Sequence, residues 1–286
     1  MKYSVIVPVY EHWHLVPALI ACLQAQSLSQ RHFEVLLVDN GSQDFQPPQG
    51  LPENVTVLRC DTPGSYAARN HAIQHAQGDW YVFTDADCQP YPDWLEQLDL
   101  AIDALSDGTT ILAGAVNVIS ASSRPNAYEK YDMVKGIPQA WYVSRGYAAT
   151  ANLAVHSRVV AAMNGFDASR YSGGDTDFCR RACKAGYTLA FVPSAVVNHP
   201  ARDTWQALAT KAKRIKGGQI IAGSLTRRTL WLLRTLTPPS VAIWRFATNT
   251  KHPFGYRVTA VVIQFRIWRL ELWEVIRLMR VSAERR

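Results

Sequence analysis

Four short apolar runs rich in β-branched and aromatic residues recur through the first ninety positions, at 3–9, 33–39, 55–60 and 80–84. Each has the length and make-up of a strand buried on both faces. Between them, residues 16–26 and 66–76 set apolar side chains at helical spacing, the first with Pro17 in its opening turn. Strand and helix in alternation predict an α/β fold, a parallel sheet covered by helices on both sides. Ligands of such sheets lie beyond the carboxyl ends of the strands, where the loops converge. Those ends carry Tyr10 and Glu11, then Asp39-Asn40-Gly41-Ser42, then Asp85-Ala86-Asp87. All three clusters are expected to face one crevice.

Further on, 92–105 reads as a helix opened by Pro92 and 110–119 as a strand. A strand at 151–155, a helix at 158–163, a turn at Asn164-Gly165, a helix from Asp175 closed by Gly186 and an apolar run to Val197 complete a body. From Ala201 the pattern changes to basic helices broken at Pro238-Pro239 and His252-Pro253. The expected organisation is therefore a body over 1–200, with halves at 1–120 and 121–200, and a helical region over 201–286.

Charge sharpens that division. The chain has 286 residues and a formal charge of +7, yet residues 1–200 hold 13 basic against 19 acidic side chains and residues 201–286 hold 17 against 4. The halves are −6 and +13, so the basicity belongs to the second alone and points to a polyanionic partner there. An odd set of five scattered cysteines, Cys22, Cys60, Cys88, Cys179 and Cys183, does not read as a disulfide framework and fits a cytoplasmic setting. Cys179 and Cys183, one helical turn apart without a matching pair, read as small core residues. The opening MKYSVIVPVY lacks the longer apolar region and cleavage site of a signal peptide. Nowhere do eighteen apolar residues run free of charge, and no spanning helix is expected.

Asp85 and Asp87 flank one residue directly after a strand. Carboxylates this close repel unless a cation joins them, and hard divalent ions such as Mg²⁺ or Mn²⁺ favour oxygen ligands and bridge phosphates. The same pair also suits a turn or helix cap. A nucleotide needs an acceptor for its ring N–H and cations for its diphosphate, which Asp39, Asp85 with a metal, and Arg69 are able to supply.

SVIVPVY, VLLVDNGSQD, GSYAARNHAIQHAQGDWYVFTDADC, the NGFD turn and GGDTDFCRRACKAGY stand in an order and spacing that resemble family 2 glycosyltransferases of the GT-A fold, across roughly residues 1–200. The resemblance implies a Rossmann-like, mostly parallel sheet flanked by helices, followed here by a basic helical appendage. It implies a nucleotide-diphosphate sugar donor, a divalent Mn or Mg ion and transfer of a sugar with inversion. Carried onto this sequence, it gives Asp39 to the base of the donor and Pro8, Tyr10 and Glu11 to the nucleotide. Gly64, Arg69 and Asn70 fall near the diphosphate. Asp85 and Ala86 meet the donor, and Asp85, Asp87 and His199 hold the metal.

The base that takes the acceptor proton lies, in that family, in a Glu-Asp pair opening a late helix. Here the pair is Gly174-Asp175, which leaves Asp175 as the base with Asp177 as rival, while an aspartate at a helix start also caps it. No Gln-x-x-Arg-Trp segment of the processive synthases follows, which favours single addition. A nucleotidyltransferase would show a glycine-rich, lysine-bearing loop after the first strand, and PVYEHWH at 8–14 has none. A binding module that has lost turnover is the non-catalytic alternative, kept open by Gly174.

In 258–286, Arg266, Arg269, Glu274, Arg277, Arg280 and Glu284 recur at helical spacing, while Ile267, Trp268, Leu272, Val275, Ile276 and Met279 gather elsewhere around the helix. Trp205, Trp231, Trp244, Trp268 and Trp273 add aromatic anchors. Such helices suit an anionic membrane interface, which predicts a peripheral protein at the inner face of the membrane and a lipid-linked or cell-envelope glycan precursor as acceptor. The competing reading is an ordinary helical appendage. Nucleic acid is not expected as a partner, because the body is acidic and would repel phosphate without metal.

Overall fold

The computed structural model describes residues 1–105, 108–170, 172–221 and 224–280. Its strands are β1 (Tyr3–Val9), β2 (Phe33–Asp39), β3 (Val55–Arg59), β4 (Trp80–Phe83), β5 (Gln89–Pro90), β6 (Thr110–Ile119), β7 (Leu153–His156) and β8 (Thr188–Pro200). They form one sheet in the order β3-β2-β1-β4-β7-β6-β8-β5. The helices that accompany them are α1 (Val16–Gln24), α2 (Ser65–Ile73), α3 (Trp94–Leu105), α4 (Ala127–Lys135), α5 (Gln139–Val143), α6 (Ser157–Ala162) and α7 (Gly174–Lys184). Four more follow: α8 (Trp205–Ile221), α9 (Leu225–Leu236), α10 (Ser240–Thr248) and α11 (Phe254–Arg280).

The sheet is mixed. β1 pairs in parallel with β2 and β4, and β2 with β3, whereas β4–β7, β7–β6 and β5–β8 are antiparallel. Parallel pairing thus holds where strand and helix alternate most regularly, and stops at β4. The alternation of side chains along each strand feeds two cores: Val5, Val7, Val9, Val35, Leu37 and Val82 join Trp94 and Leu98 on one face. Ile6, Leu36, Val38, Tyr81 and Phe83 meet Ala68, Ala72 and Phe178 on the other.

The order reverses direction between β1 and β4, which makes their carboxyl ends a switch point. Pro8 helps to open it. Lys2 and Ile6 accept at their carbonyls from the amides of Trp80, in β4, and Thr84, just past it, so position 8 faces the same neighbour, and the β1–β4 pairing has already ended at Ile6 and Phe83. A proline there forfeits no ladder bond.

The described chain divides into two compact units. The first comprises Met1–Asn117, Ile137–Ser169 and Gly174–His199; the second comprises Val118–Gly136, Arg170–Gly173 and Pro200–Arg286. The core of the second packs Tyr131 and Val134 of α4 against Leu208 and Ala212 of α8, Phe246 of α10, and Ala260, Ile263 and Ile267 of α11. Tyr131 donates its hydroxyl to Gln264 Oε1 at 2.9 Å, and Arg202 pairs with Asp132 at 3.0 Å.

Along α11 the apolar residues occupy two sides rather than one. Ile267 and Val275 are buried, whereas Ile276 and Met279 are exposed. Glu274, expected among the solvated charges, is buried and held by a bidentate Arg277 at 2.7 and 3.0 Å. Glu284 lies outside the described residues. Among the described residues, no helix is long and apolar enough to cross a membrane.

Candidate active site

At the end of β4 the chain turns through Asp85-Ala86-Asp87, fixed by the Cys88 amide donating to the Asp85 carbonyl at 3.0 Å. Ala86 is buried, which directs the aspartates on either side toward the crevice. His199 reaches the same place from the end of β8, whose neighbour Asn198 registers with Gln89 of β5. One ligand atom from each of Asp85, Asp87 and His199 lies within 4.8 Å of the other two, and His199 Nε2 stands 3.6 Å from Asp87 Oδ2. Asp87 Oδ1 is buried without a hydrogen-bond partner. A buried, unpartnered carboxylate oxygen is costly unless a cation or a donor meets it. Two carboxylates, one imidazole and that orphaned oxygen fit a divalent ion.

Arg69 is buried on α2 and donates from Nη2 to Asp85 Oδ1 at 2.7 Å, with its guanidinium 5.6 Å from the centre of the Tyr66 ring. It therefore balances one carboxylate of the cluster from behind. Gly64 begins this helix at φ +115°, a backbone that side-chain-bearing residues rarely adopt. Its amide donates to Asn40 Oδ1 at 2.7 Å, and the Asn40 amide reaches the carbonyls of Cys60 and Thr62 at 3.1 and 2.7 Å. Asn40 thus ties the β2 end to the loop before α2. Named from the sequence only as a member of the strand-end cluster, it fills the turn-making role common for an asparagine directly after a strand.

Asp39 is wholly enclosed: Trp13 Nε1 donates to its Oδ1 at 2.9 Å, and the amides of Gly41 and Ser42 approach its Oδ2 at 3.2 and 3.3 Å. Three of its four lone-pair positions are taken and solvent does not reach it, so Asp39 holds Trp13 and the Gly41-Ser42 turn in place. Asn70 bonds the Phe166 backbone at both ends of its amide, at 2.7 and 2.9 Å, and latches α2 to the Asn164-Gly165 turn. Glu11, at φ 57°, donates its amide to Ser42 and accepts the Gln43 amide at 2.7 Å, so it braces the same β2 loop. Tyr10 stands exposed just after β1.

Asp175 stands in the first turn of α7, half-buried, with Thr176 N–H on its Oδ1 at 2.7 Å and the Tyr66 hydroxyl donating to the same oxygen at 3.4 Å. Burial pushes its carboxyl above the ordinary carboxylate range, against the lowering influence of the Thr176 amide and Arg69. Asp177 accepts Arg181 Nε at 2.9 Å, and Arg181 also donates to the carbonyls of Met163 and Gly165. That network serves the Gly165 turn. Gly174 has a spatial cause: a Cβ built there would lie 2.7 Å from Tyr66 Cδ2 and Cε2. The Tyr66 ring is itself buried against Phe166, at 5.8 Å between centroids, and fills the room a glutamate would need.

This open α/β sheet with a carboxylate-histidine cluster at its strand ends is an enzyme-like scaffold, and comparison with known proteins specifies it. Residues 4–154 match the model described as "Glycosyl transferase family 2", and residues 129–276 match "Glycosyl transferase family group 2". Glycosyltransferase AglE of Haloferax volcanii is 33% identical over 234 residues, covering 79% of this chain and 76% of its own. The amylovoran biosynthesis glycosyltransferase AmsB of Erwinia amylovora is 27% identical, covering 70% and 69%. The mannosyltransferase PcManGT of Pyrobaculum calidifontis, solved with GDP-Man and Mn²⁺, superposes with a TM-score of 0.55 at 18% identity, over 96% of this chain and 87% of its own, a likeness of fold. The chain belongs to glycosyltransferase family 2 and is a glycosyltransferase of GT-A architecture.

Proposed function

We propose that this enzyme transfers one sugar from a nucleoside-diphosphate sugar to an acceptor hydroxyl, with inversion, using a divalent cation held by Asp85, Asp87 and His199. The observation that carries the reading is the orphaned Asp87 Oδ1, buried within reach of Asp85 and His199. Mg²⁺ or Mn²⁺, when bound there, supplies positive charge to the diphosphate as it leaves. PcManGT, which binds GDP-Man and Mn²⁺, supports the same class of donor.

The chain's own groups supply the rest. Arg69, hydrogen-bonded to Asp85, fixes that carboxylate and adds a second positive charge behind it. Tyr10 and the loop braced by Glu11, Asp39 and Asn40 line the nucleoside end, with Pro8 leaving the β1 edge open. Asp175, raised in pKa by burial, accepts the proton of the acceptor hydroxyl as its oxygen attacks the anomeric carbon, and the nucleoside diphosphate departs from the opposite face. The relative named for amylovoran biosynthesis, together with the basic second unit, supports a lipid-linked or cell-envelope glycan precursor as acceptor, met at the inner face of the membrane.

The test is release of nucleoside diphosphate from UDP- and GDP-sugars with Mn²⁺ and an acceptor extract. Asp175→Asn is expected to lower kcat by about 10²–10⁴ with little change in donor affinity, and Asp177→Asn by less than about tenfold. Equal losses in the two variants would assign the base wrongly.

A further inference from the structure

The helix α11 has apolar side chains on two opposite sides, and only one side has a partner. Ala260, Ile263, Ile267 and Val275 are buried in the second unit. About half a turn around the helix, Phe254, Val258, Val262 and Phe265, then Trp273, Ile276 and Met279, are exposed. At 100° per residue these seven fall within one arc about 120° wide. The stripe runs the length of a 27-residue helix, about 40 Å at 1.5 Å per residue. Phe254 is 73% and Trp273 68% exposed, values far from those of side chains at the edge of a core.

The helix α9 repeats the arrangement in inverted form. Leu225, Leu230, Leu233 and Leu236 are all exposed, whereas Thr235 is buried and Arg228 turns inward to donate to the Ile220 carbonyl at 2.7 Å. An amphipathic surface helix normally turns its leucines to the core and its arginines to water. Here four of the five leucines face out, beside an exposed Arg234. The exposed Arg269 lies in the same arc of α11 between Phe265 and Trp273, and exposed apolar surface of this extent with a cation set into it marks an interaction site.

Charge selects the occupant. Residues 224–280 hold ten Lys and Arg against two acidic residues, Glu271 and Glu274. Glu274 is buried against Arg277 and Glu271 pairs with Lys216, so neither is an open counter-charge. A second copy of this surface would meet it with the same positive sign, whereas a bilayer with anionic headgroups offers apolar depth beneath negative charge. Since no described helix is able to span, the contact is parallel to the bilayer plane.

We infer that the outward stripe of α11, with the exposed leucines of α9, is a docking surface for an anionic lipid bilayer, inserted to the depth of the headgroup–acyl boundary. This deepens the reading of a membrane-borne acceptor and rests on it only for its purpose; docking and donor chemistry are separable by experiment.

The full chain is sedimented with vesicles of phosphatidylcholine alone and with phosphatidylglycerol added, beside the surface variant Phe265→Ser with Trp273→Ser. Wild type is expected to pellet with anionic vesicles, less so as salt rises, and the double variant to partition at least about tenfold more weakly. The variant should retain wild-type melting behaviour and wild-type Mn²⁺-dependent nucleotide binding, and Asp87→Asn should pellet like wild type. Wild type that stays in the supernatant, binds neutral and anionic vesicles equally, or pellets undiminished by the double substitution would overturn the inference. So would a concentration-dependent dimer that the double variant abolishes while vesicle binding is absent.

Discussion

The two units of this molecule distribute polarity in opposite ways. In the first, apolar residues fill both faces of a sheet, and the charged groups gather at the carboxyl ends of β1, β2 and β4. In the second, Lys216, Glu274 and Asp132 are buried, while thirteen of the nineteen exposed large apolar side chains among the described residues lie between Leu225 and Met279. The first is the economy of a site that meets small polar ligands from water. The second suits a body whose outer surface is completed by something apolar. Net charges of −6 and +13 on the two stretches of sequence carry the same contrast.

The sharpest challenge to the first unit is at Gly174. Because the ring of Tyr66 occupies the space of a Cβ, Gly174→Ala is expected to cost about 1–3 kcal/mol, read as a lower midpoint in urea, and to move Asp175 with it. Tyr66→Ala in the same chain should recover part of that loss, since it vacates the overlapping volume; a double-mutant cycle showing no coupling would separate the two residues.

A smaller effect tests the second unit. Burial, with Arg202 as a neighbour, lowers the Lys211 ammonium to about 7 from its ordinary range. The unfolded chain therefore binds a proton that the folded chain sheds above pH 7. The resulting destabilisation is full below about pH 7 and fades as pH climbs toward the ordinary lysine value. Lys211→Met should raise Tm by a few degrees at pH 6–7 and by progressively less toward pH 10. A constant difference across that range would assign the gain to packing instead of charge.

Much of the first unit was legible in the chain. The runs at 3–9, 33–39 and 110–119 coincide with β1, β2 and β6, because buried strands advertise themselves through unbroken β-branched stretches. The convergence of Asp85, Asp87 and His199 was expected from strand ends and a resemblance, and the structure brings one ligand atom of each within 4.8 Å of the others. What sequence reasoning missed is set by side chains meeting across long separations. The enclosure of Asp39 by Trp13, the latch of Asn70 onto Phe166 and the filling of the Gly174 space by Tyr66 join residues 26 to 108 positions apart. A buried tryptophan seeking an acceptor for its indole N–H was the one available hint. In α11 the reading of one apolar face failed for a different reason: a helix apolar on two sides shows no clear single stripe, and only packing against Tyr131 and Phe246 reveals which side is inward.

On the proposed reading, Asp85, Asp87 and His199 hold a cation that binds the donor diphosphate. Calorimetric titration of UDP and GDP into the protein, with Mn²⁺ and with EDTA, tests it most directly, on wild type and on Asp87→Asn. One nucleotide is expected to bind wild type with Mn²⁺ and at least about a hundredfold more weakly in EDTA, and Asp87→Asn should lose that metal dependence while keeping the wild-type melting curve. Binding to wild type that is indifferent to EDTA, or an Asp87→Asn protein that binds with Mn²⁺ as wild type does, would contradict it.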